Sequence, residues 1–247
     1  MNIFIKLMIS VCFPAKNEGK FIERSVKAAK KTPNVMEVIV IDGGSMDDTV
    51  KKALKAGAHV VYQSDLKYPG KGIAMRDGVY YARGSIIVFL DADIKNLDSS
   101  MILSLTKPII NREADFVKGA FGRKAGRVTE LVAKPLIKMF YPELSSFNQP
   151  LGGEIAGLKN VFLSVNFEED WGVDVGLLID IYKKGFKIVE VDIGFKDHDM
   201  KPLHLLTDMA YDVAKAILTR AMMDGKIDRI GYEKHIEAIP RGIGESS

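Results

Sequence analysis

The chain has 247 residues, 47% of them hydrophobic and 27% charged, a balance that excludes a disordered protein and suffices for a continuous buried core. A formal charge of +3 with acidic and basic residues interleaved leaves no broad nucleic-acid footprint, and no stretch approaches the ~20 apolar residues of a membrane span. One cysteine, Cys12, rules out an intrachain disulfide framework and, between Val11 and Phe13, reads as a small buried hydrophobe. The opening MNIFIKLMISVCF is interrupted by Lys6 and lacks a small-residue cleavage site, so it reads as a first strand, and the cytoplasm is the expected location.

In chain order, the apolar runs MISVCF (8–13), MEVIVID (36–42), AHVVY (58–62) and SIIVFLDAD (85–93) alternate with helical patterns over 18–31, 46–56 and 71–83. This βαβ order predicts a parallel sheet with right-handed crossovers and helices on both faces. Such sheets bind ligands beyond the carboxyl ends of their strands. The segments at those ends are FPAKNEG (13–19), IDGGSMDDT (41–49), SDLKYPGKG (64–72) and LDAD (90–93). The second half predicts a helix over 128–140, a loop over 141–150, a helix over 173–184, a strand over 187–191 and a long helix over 203–223. The polar residues 225–247 read as a tail of little functional weight.

Asp91-Ala92-Asp93 directly follows an apolar strand, which is a position for a hard divalent cation such as Mg²⁺ or Mn²⁺. Such an ion takes one or two carboxylates from the protein and its other ligands from substrate phosphates and water. Lys71, between two glycines in a loop that lets backbone approach an anion, suits a diphosphate as a compact point charge. Ser45, Asp47, Asp48 and Thr49 form a turn into a helix, and capping accounts for some of these side chains.

FPAKNE, DGGSxDxT and the later DAD, in this order, resemble the GT-A nucleotide-sugar glycosyltransferase domain. The second half sharpens the likeness: GRVTELVAKPLIKMFYPELSSFNQPLGGEIAG (126–157), WGVDVGLLIDIYKKG (171–185) and the DHD at 197–199 look like the glucosyl-3-phosphoglycerate synthases, retaining members of that group. The resemblance implies an α/β, Rossmann-like GT-A domain over 1–224. Its halves would bind nucleotide-sugar (about 8–120) and acceptor (about 121–224).

It further implies that Pro14, Lys16 and Glu18 line the uracil and ribose site with Ser45 beside the base. Asp91, Ala92, Asp93 and Lys71 would hold the diphosphate, and Asp93 with His198 the Mg²⁺ or Mn²⁺. Leu151 to Glu154 would shape the hexose floor, with Trp171 and the carboxylate of Asp174 facing the sugar. Gly126, Arg127, Val128 and Thr129 would bind the phosphate and carboxylate of the acceptor, Arg127 by a bidentate bond. Three positions depart from the family: Asp174 stands where glutamate is familiar, Trp171 where tyrosine is, and Lys196 replaces an arginine near the donor phosphates. The implied activity is metal-dependent hexosyl transfer, UDP-glucose favoured, to a small phosphorylated acid, 3-phosphoglycerate, by an enzyme that forms a homodimer through the long helix over 203–223. GDP-mannose as donor, a polyprenyl-phosphate sugar transferase and a non-catalytic nucleotide-sugar-binding regulator are the rival readings.

Overall fold

The computed structural model describes residues 7–68, 70–122, 126–197 and 206–238. The four expected runs form β1 (Ile9–Ala15), β2 (Val35–Asp42), β3 (His59–Tyr62) and β4 (Ile86–Phe89), all mutually parallel where they pair. Between them run α1 (Ile22–Lys30), α2 (Thr49–Ala56) and α3 (Lys71–Tyr81). Alternation along the strands sorts their side chains between two layers. Ile9, Val11 and Phe13 face the side covered by α1 and α2, while Cys12, Ile39, Ile41, Ile87 and Phe89 face α3. Strands buried on both faces explain why these segments read as continuous apolar runs. Cys12 is fully buried as expected, and burial pushes its thiol pKa up, away from reactivity.

The second half adds α4 (Ser99–Ile110), β5 (Phe116–Ala120), α5 (Lys134–Phe140), β6 (Ile155–Leu158), α6 (Lys159–Leu163), α7 (Val173–Lys183), β7 (Ile188–Asp192), α8 (Thr207–Met223) and α9 (Arg229–Ala238). The sheet order is β3-β2-β1-β4-β6-β5-β7. β6 runs antiparallel to both β4 and β5, so the sheet is mostly parallel, as expected, with this one reversed strand. Neither β5 nor β6 announces itself: FVKGA carries a lysine and a glycine, and IAGL two small residues, so neither shows a strand period.

The helix expected over 128–140 opens with a π turn at Thr129–Ala133 before continuing as α5. α8 sends Val213, Ala216 and Ile217 into a third apolar cluster with Ile137, Leu178 and Ile179. Its apolar side is therefore consumed inside the chain. Arg220 of α8 bonds both carboxylate oxygens of Asp180 (2.9 and 2.6 Å) and Glu168 (2.5 Å), fastening α8 to α7. Residues 229–238, expected to be part of a tail, form a helix instead. Asp228 accepts the Gly231 N–H at 2.6 Å at its start, and Tyr232 meets Thr219 of α8 at 3.2 Å.

This architecture brings the carboxyl ends of the parallel strands to one edge. Because β6 is reversed, the chain entering it, Gly152–Gly153–Glu154, arrives at that same edge. The segment after β7 joins them, with Asp197 bonded through its N–H to Asn96 Oδ1 (2.9 Å) and through its carbonyl to the Lys95 N–H (2.8 Å).

Candidate active site

At the β1 and β2 ends, short polar side chains bond to neighbouring loop backbone. Asp42 Oδ2 accepts the N–H groups of Gly44 and Ser45, both at 3.0 Å. Asn17, in a left-handed conformation (φ 58°), donates its N–H to Ser45 Oγ at 2.8 Å and accepts from Met46 N–H at 2.9 Å. Thr49 Oγ1 and Asp47 Oδ2 take the N–H groups of Glu18 (2.8 Å) and Gly19 (2.9 Å). The DGGSMDDT segment thus clamps the FPAKNEG loop. Pro14, Lys16 and Glu18 line the resulting cleft, whereas Ser45 does not and is engaged in the clamp.

Below this shelf lies a charge cluster. Lys71, the first residue of α3, places its ammonium 2.8 Å from Asp174 Oδ2 and 3.2 Å from Asp91 Oδ1. Lys196 sits 2.8 Å from Asp91 Oδ2 and 2.6 Å from Glu154 Oε1. Burial opposes ionisation of Asp91, but Lys196 and Lys71 outweigh it and hold its carboxyl well below the usual range. Burial would likewise lower the Lys71 pKa, yet Asp174 and Asp91 raise it, so this lysine stays charged. Glu154, fully buried, is pushed the other way by desolvation, with Lys196 opposing and Asp91 reinforcing the rise. A side chain at Gly153 has no room: its Cβ would stand 2.5 Å from Lys71 Nζ and 2.6 Å from Asp91 Oδ1. Gly70 and Gly72 are equally constrained, since Cβ atoms there would meet the carbonyl oxygens of Glu169 (1.9 Å) and Glu168 (1.6 Å).

The cleft has a volume of about 1080 Å³. Lys71, Asp91, Ala92, Asp93, Leu151, Trp171, Asp174 and the run Gly126, Arg127, Val128, Thr129 all line it. Of the expected site residues that are described, Ser45 and the fully buried Glu154 stand outside the lining, and His198 lies outside the described residues. Lys71 is 5.8 Å from the centre of the Trp171 ring, within reach of its π face. Asp174 is 1% exposed, and its Oδ1 has no hydrogen-bond partner among the described residues. A buried carboxylate oxygen left open on a cleft is a place for a ligand hydroxyl.

Gln63 and Asp212 are among the lining groups that escaped the sequence reading. Gln63 follows β3 directly, where the strand-end rule would have found it, and its Nε2 donates to the Gly70 carbonyl. Asp212 of α8 borders the cleft mouth, where burial, then Asp170, raises its carboxyl to about 6. No strand end marks it in the sequence.

A divalent cation bound together with a diphosphate needs only one or two protein ligands. Among the described residues no group of three His, Cys, Asp or Glu side chains could hold an ion alone. Asp91 is bonded to two lysines, and Asp93, two residues further on, also lines the cleft. Among the described residues the donor set therefore fits a cation shared with a phosphorylated ligand, and does not fit an all-protein cage.

Residues 10–162 match the Glycosyl transferase family 2 profile. Glucosyl-3-phosphoglycerate synthase of Petrotoga mobilis is 39% identical over 244 residues, covering 89% of this chain and 75% of that one. The enzyme of the same name from Mycolicibacterium smegmatis is 36% identical over 233 residues, covering 86% and 77%. The structure of Mycobacterium tuberculosis glucosyl-3-phosphoglycerate synthase with Mn²⁺, UDP-glucose and phosphoglyceric acid matches with a TM-score of 0.84 at 35% identity, over 90% of this chain and 82% of that one. The same enzyme with Mg²⁺ and UDP gives 0.81 at 36% identity, over 87% and 79%. No helix among the described residues is long and apolar enough to cross a membrane. With its mixed GT-A sheet, its strand-end motifs and these relatives, the chain belongs to glycosyl transferase family 2 and, within it, to the glucosyl-3-phosphoglycerate synthases.

Proposed function

We propose that the chain transfers glucose from UDP-glucose to 3-phosphoglycerate with retention at the anomeric carbon, giving glucosyl-3-phosphoglycerate. The observation that carries this reading is the meeting, in one cleft, of the Lys71–Asp91–Asp174 cluster with the helix start at Arg127–Thr129. One group suits a leaving diphosphate and a hexose, the other a small anion.

Pro14, Lys16 and Glu18 seat the uridine, and the backbone at Ala92 passes beneath the diphosphate. Asp93 and His198 would hold the Mg²⁺ or Mn²⁺, which when bound offsets negative charge developing on the leaving diphosphate. Lys71 adds a fixed positive charge beside the same oxygens. Asp174 accepts a hexose hydroxyl through Oδ1 while its Oδ2 remains on Lys71, and Leu151 and Trp171 flank the ring. On the acceptor side, Arg127 pairs with an oxyanion, and Thr129 with the amides from Gly126 to Val128 supplies further donors. Holding the acceptor hydroxyl against the anomeric carbon raises the rate through positioning. Asp91, Asp174 and Glu154 are each tied to a lysine, which favours front-face attack over a double displacement on a carboxylate. The same reading makes 1–224 the catalytic domain, with donor and acceptor halves, of a cytoplasmic homodimer; sedimentation of the purified chain tests the dimer.

A panel of UDP-glucose and GDP-mannose against 3-phosphoglycerate and glycerate, with Mg²⁺ or Mn²⁺, tests the assignment. UDP release from UDP-glucose that requires 3-phosphoglycerate is the expected outcome. Turnover only with GDP-mannose would move the donor, and no turnover with any pair would overturn the reading.

A further inference from the structure

We propose that Lys118 is a positioning residue for the transferred sugar: from beneath the cleft it fixes the 149–153 loop, and with it the seat of the hexose, leaving the nucleotide shelf untouched. The inference rests on reading the cleft as a nucleotide-hexose site.

Lys118 lies in the middle of β5 and is fully buried. By strand alternation it shares a face with Phe116, whose ring packs on Phe162 at 5.8 Å, and its register partner on β6 is Ile155. An aliphatic side chain is the residue such a position calls for, and a methionine would fill it without desolvating a charge. The lysine adds two things. Its ammonium donates to the Gly152 carbonyl at 2.9 Å. Its charge also faces Asp174 of α7, Glu154 ahead of β6 and Glu190 of β7, with Lys71 of α3 as the opposing cation. Burial, aided by Lys71, brings its pKa down to about 8 against those three carboxylates.

The loop above is gripped from both ends. Glu190, the register partner of Lys118 on β7, accepts the N–H groups of Asn148 (2.9 Å) and Gln149 (2.8 Å). Gly152 closes the turn by donating to the Gln149 carbonyl at 2.9 Å, and Gly119 donates to the Glu154 carbonyl at 2.8 Å. The Lys118 bond therefore fixes the Gly152 carbonyl, and the next residue, Gly153, stands so near the cluster that a Cβ on it would come 2.5 Å from Lys71 Nζ and 2.6 Å from Asp91 Oδ1. Any shift of the Gly152 carbonyl passes directly to the sugar end of the cleft. The shelf at 14–18 is held by Ser45, Asp47 and Thr49 instead.

Calorimetry of UDP and of UDP-glucose with Mg²⁺, on the native chain, Lys118→Met and Lys118→Arg, separates positioning from mere structure. Lys118→Met should keep native UDP affinity within about twofold, lose most of the difference between UDP-glucose and UDP, and transfer at least roughly tenfold more slowly. Its melting temperature should equal or exceed the native value, because a buried charge has been removed. Lys118→Arg, which keeps the charge and a donor, should fall between the two. Should Lys118→Met not fold, Lys118→Arg carries the comparison, with a shifted UDP-glucose to UDP affinity ratio expected. Equal loss of both ligands, or an unmoved ratio with native turnover, in a chain whose native form binds both, overturns this inference alone. A native chain that binds neither ligand overturns the parent reading and this inference with it.

Discussion

The two sides of the cleft are built differently. The nucleotide shelf is made from consecutive βα turns, and its side chains bond to loop backbone close by in space, Ser45 to Asn17 and Thr49 to Glu18. The sugar side joins elements that are distant in sequence: Lys71 of α3 meets Asp174 of α7, and Lys196 after β7 meets Asp91 after β4. Its groups are charged and largely buried, and each has an opposite charge as partner. Short Asp, Ser and Thr side chains bonded to nearby loop backbone suffice to hold that shelf. Groups that must meet developing charge need to be fixed in advance in a water-poor site, which only long-range packing supplies.

That contrast sets the order of expected mutational effects. Asp93→Ala, at the junction of the two sides, should reduce transfer by roughly 10²–10³-fold or more while leaving circular dichroism and melting nearly unchanged. Native turnover at saturating Mn²⁺ would remove Asp93 from the site. Arg127→Ala should spare donor binding but lose about 1.5–3 kcal/mol toward the acceptor, roughly a ten- to hundredfold fall in kcat/KM for 3-phosphoglycerate. Glycerate should be a poor acceptor for the native chain, and the variant should discriminate less between the two. An unchanged ratio would place acceptor recognition elsewhere.

The same contrast explains what the sequence made legible. Strand ends after regular apolar runs located the FPAKNEG and DAD segments from pattern alone, with Pro14, Lys16 and Glu18 singled out by resemblance, and the α1 to α3 segments matched helical periodicity. Arg127, Thr129, Trp171 and Asp174 were reached only through resemblance, because nothing local in GRVT or WGVD says that they face the same cleft. The clamp role of Ser45 and the pairing of Asp91 with two lysines depend on tertiary approach that no spacing encodes. Lys118 was hidden by the weak strand pattern of β5, although a lysine inside an apolar pentapeptide is a signal that can be sought.

Two smaller effects sharpen the comparison. On the sugar side, the Lys118 pKa of about 8 lies below its ordinary 10.5, so the unfolded chain keeps a proton that the native chain loses between those values. The burden of burying this charge is therefore full below about pH 8 and is relieved as pH rises toward 10.5. Denaturant titrations should show native stability gaining on Lys118→Met by about 3 kcal/mol across that window. A constant difference would mean that Lys118 titrates normally. On the shelf side, Ser45→Ala deletes one neutral hydrogen bond and should cost only about 1 kcal/mol of stability, with UDP affinity reduced less than about threefold. A far larger loss of UDP affinity would return Ser45 to direct contact with the base.

The central claim is glucosyl transfer to 3-phosphoglycerate, and NMR of the product formed from UDP-glucose, 3-phosphoglycerate and Mg²⁺ tests it most directly. The account predicts UDP and an α-configured glucoside of phosphoglycerate in equal amounts, formed only when donor and acceptor are both present. Free glucose formed without regard to the acceptor, or a β-configured product, would contradict it.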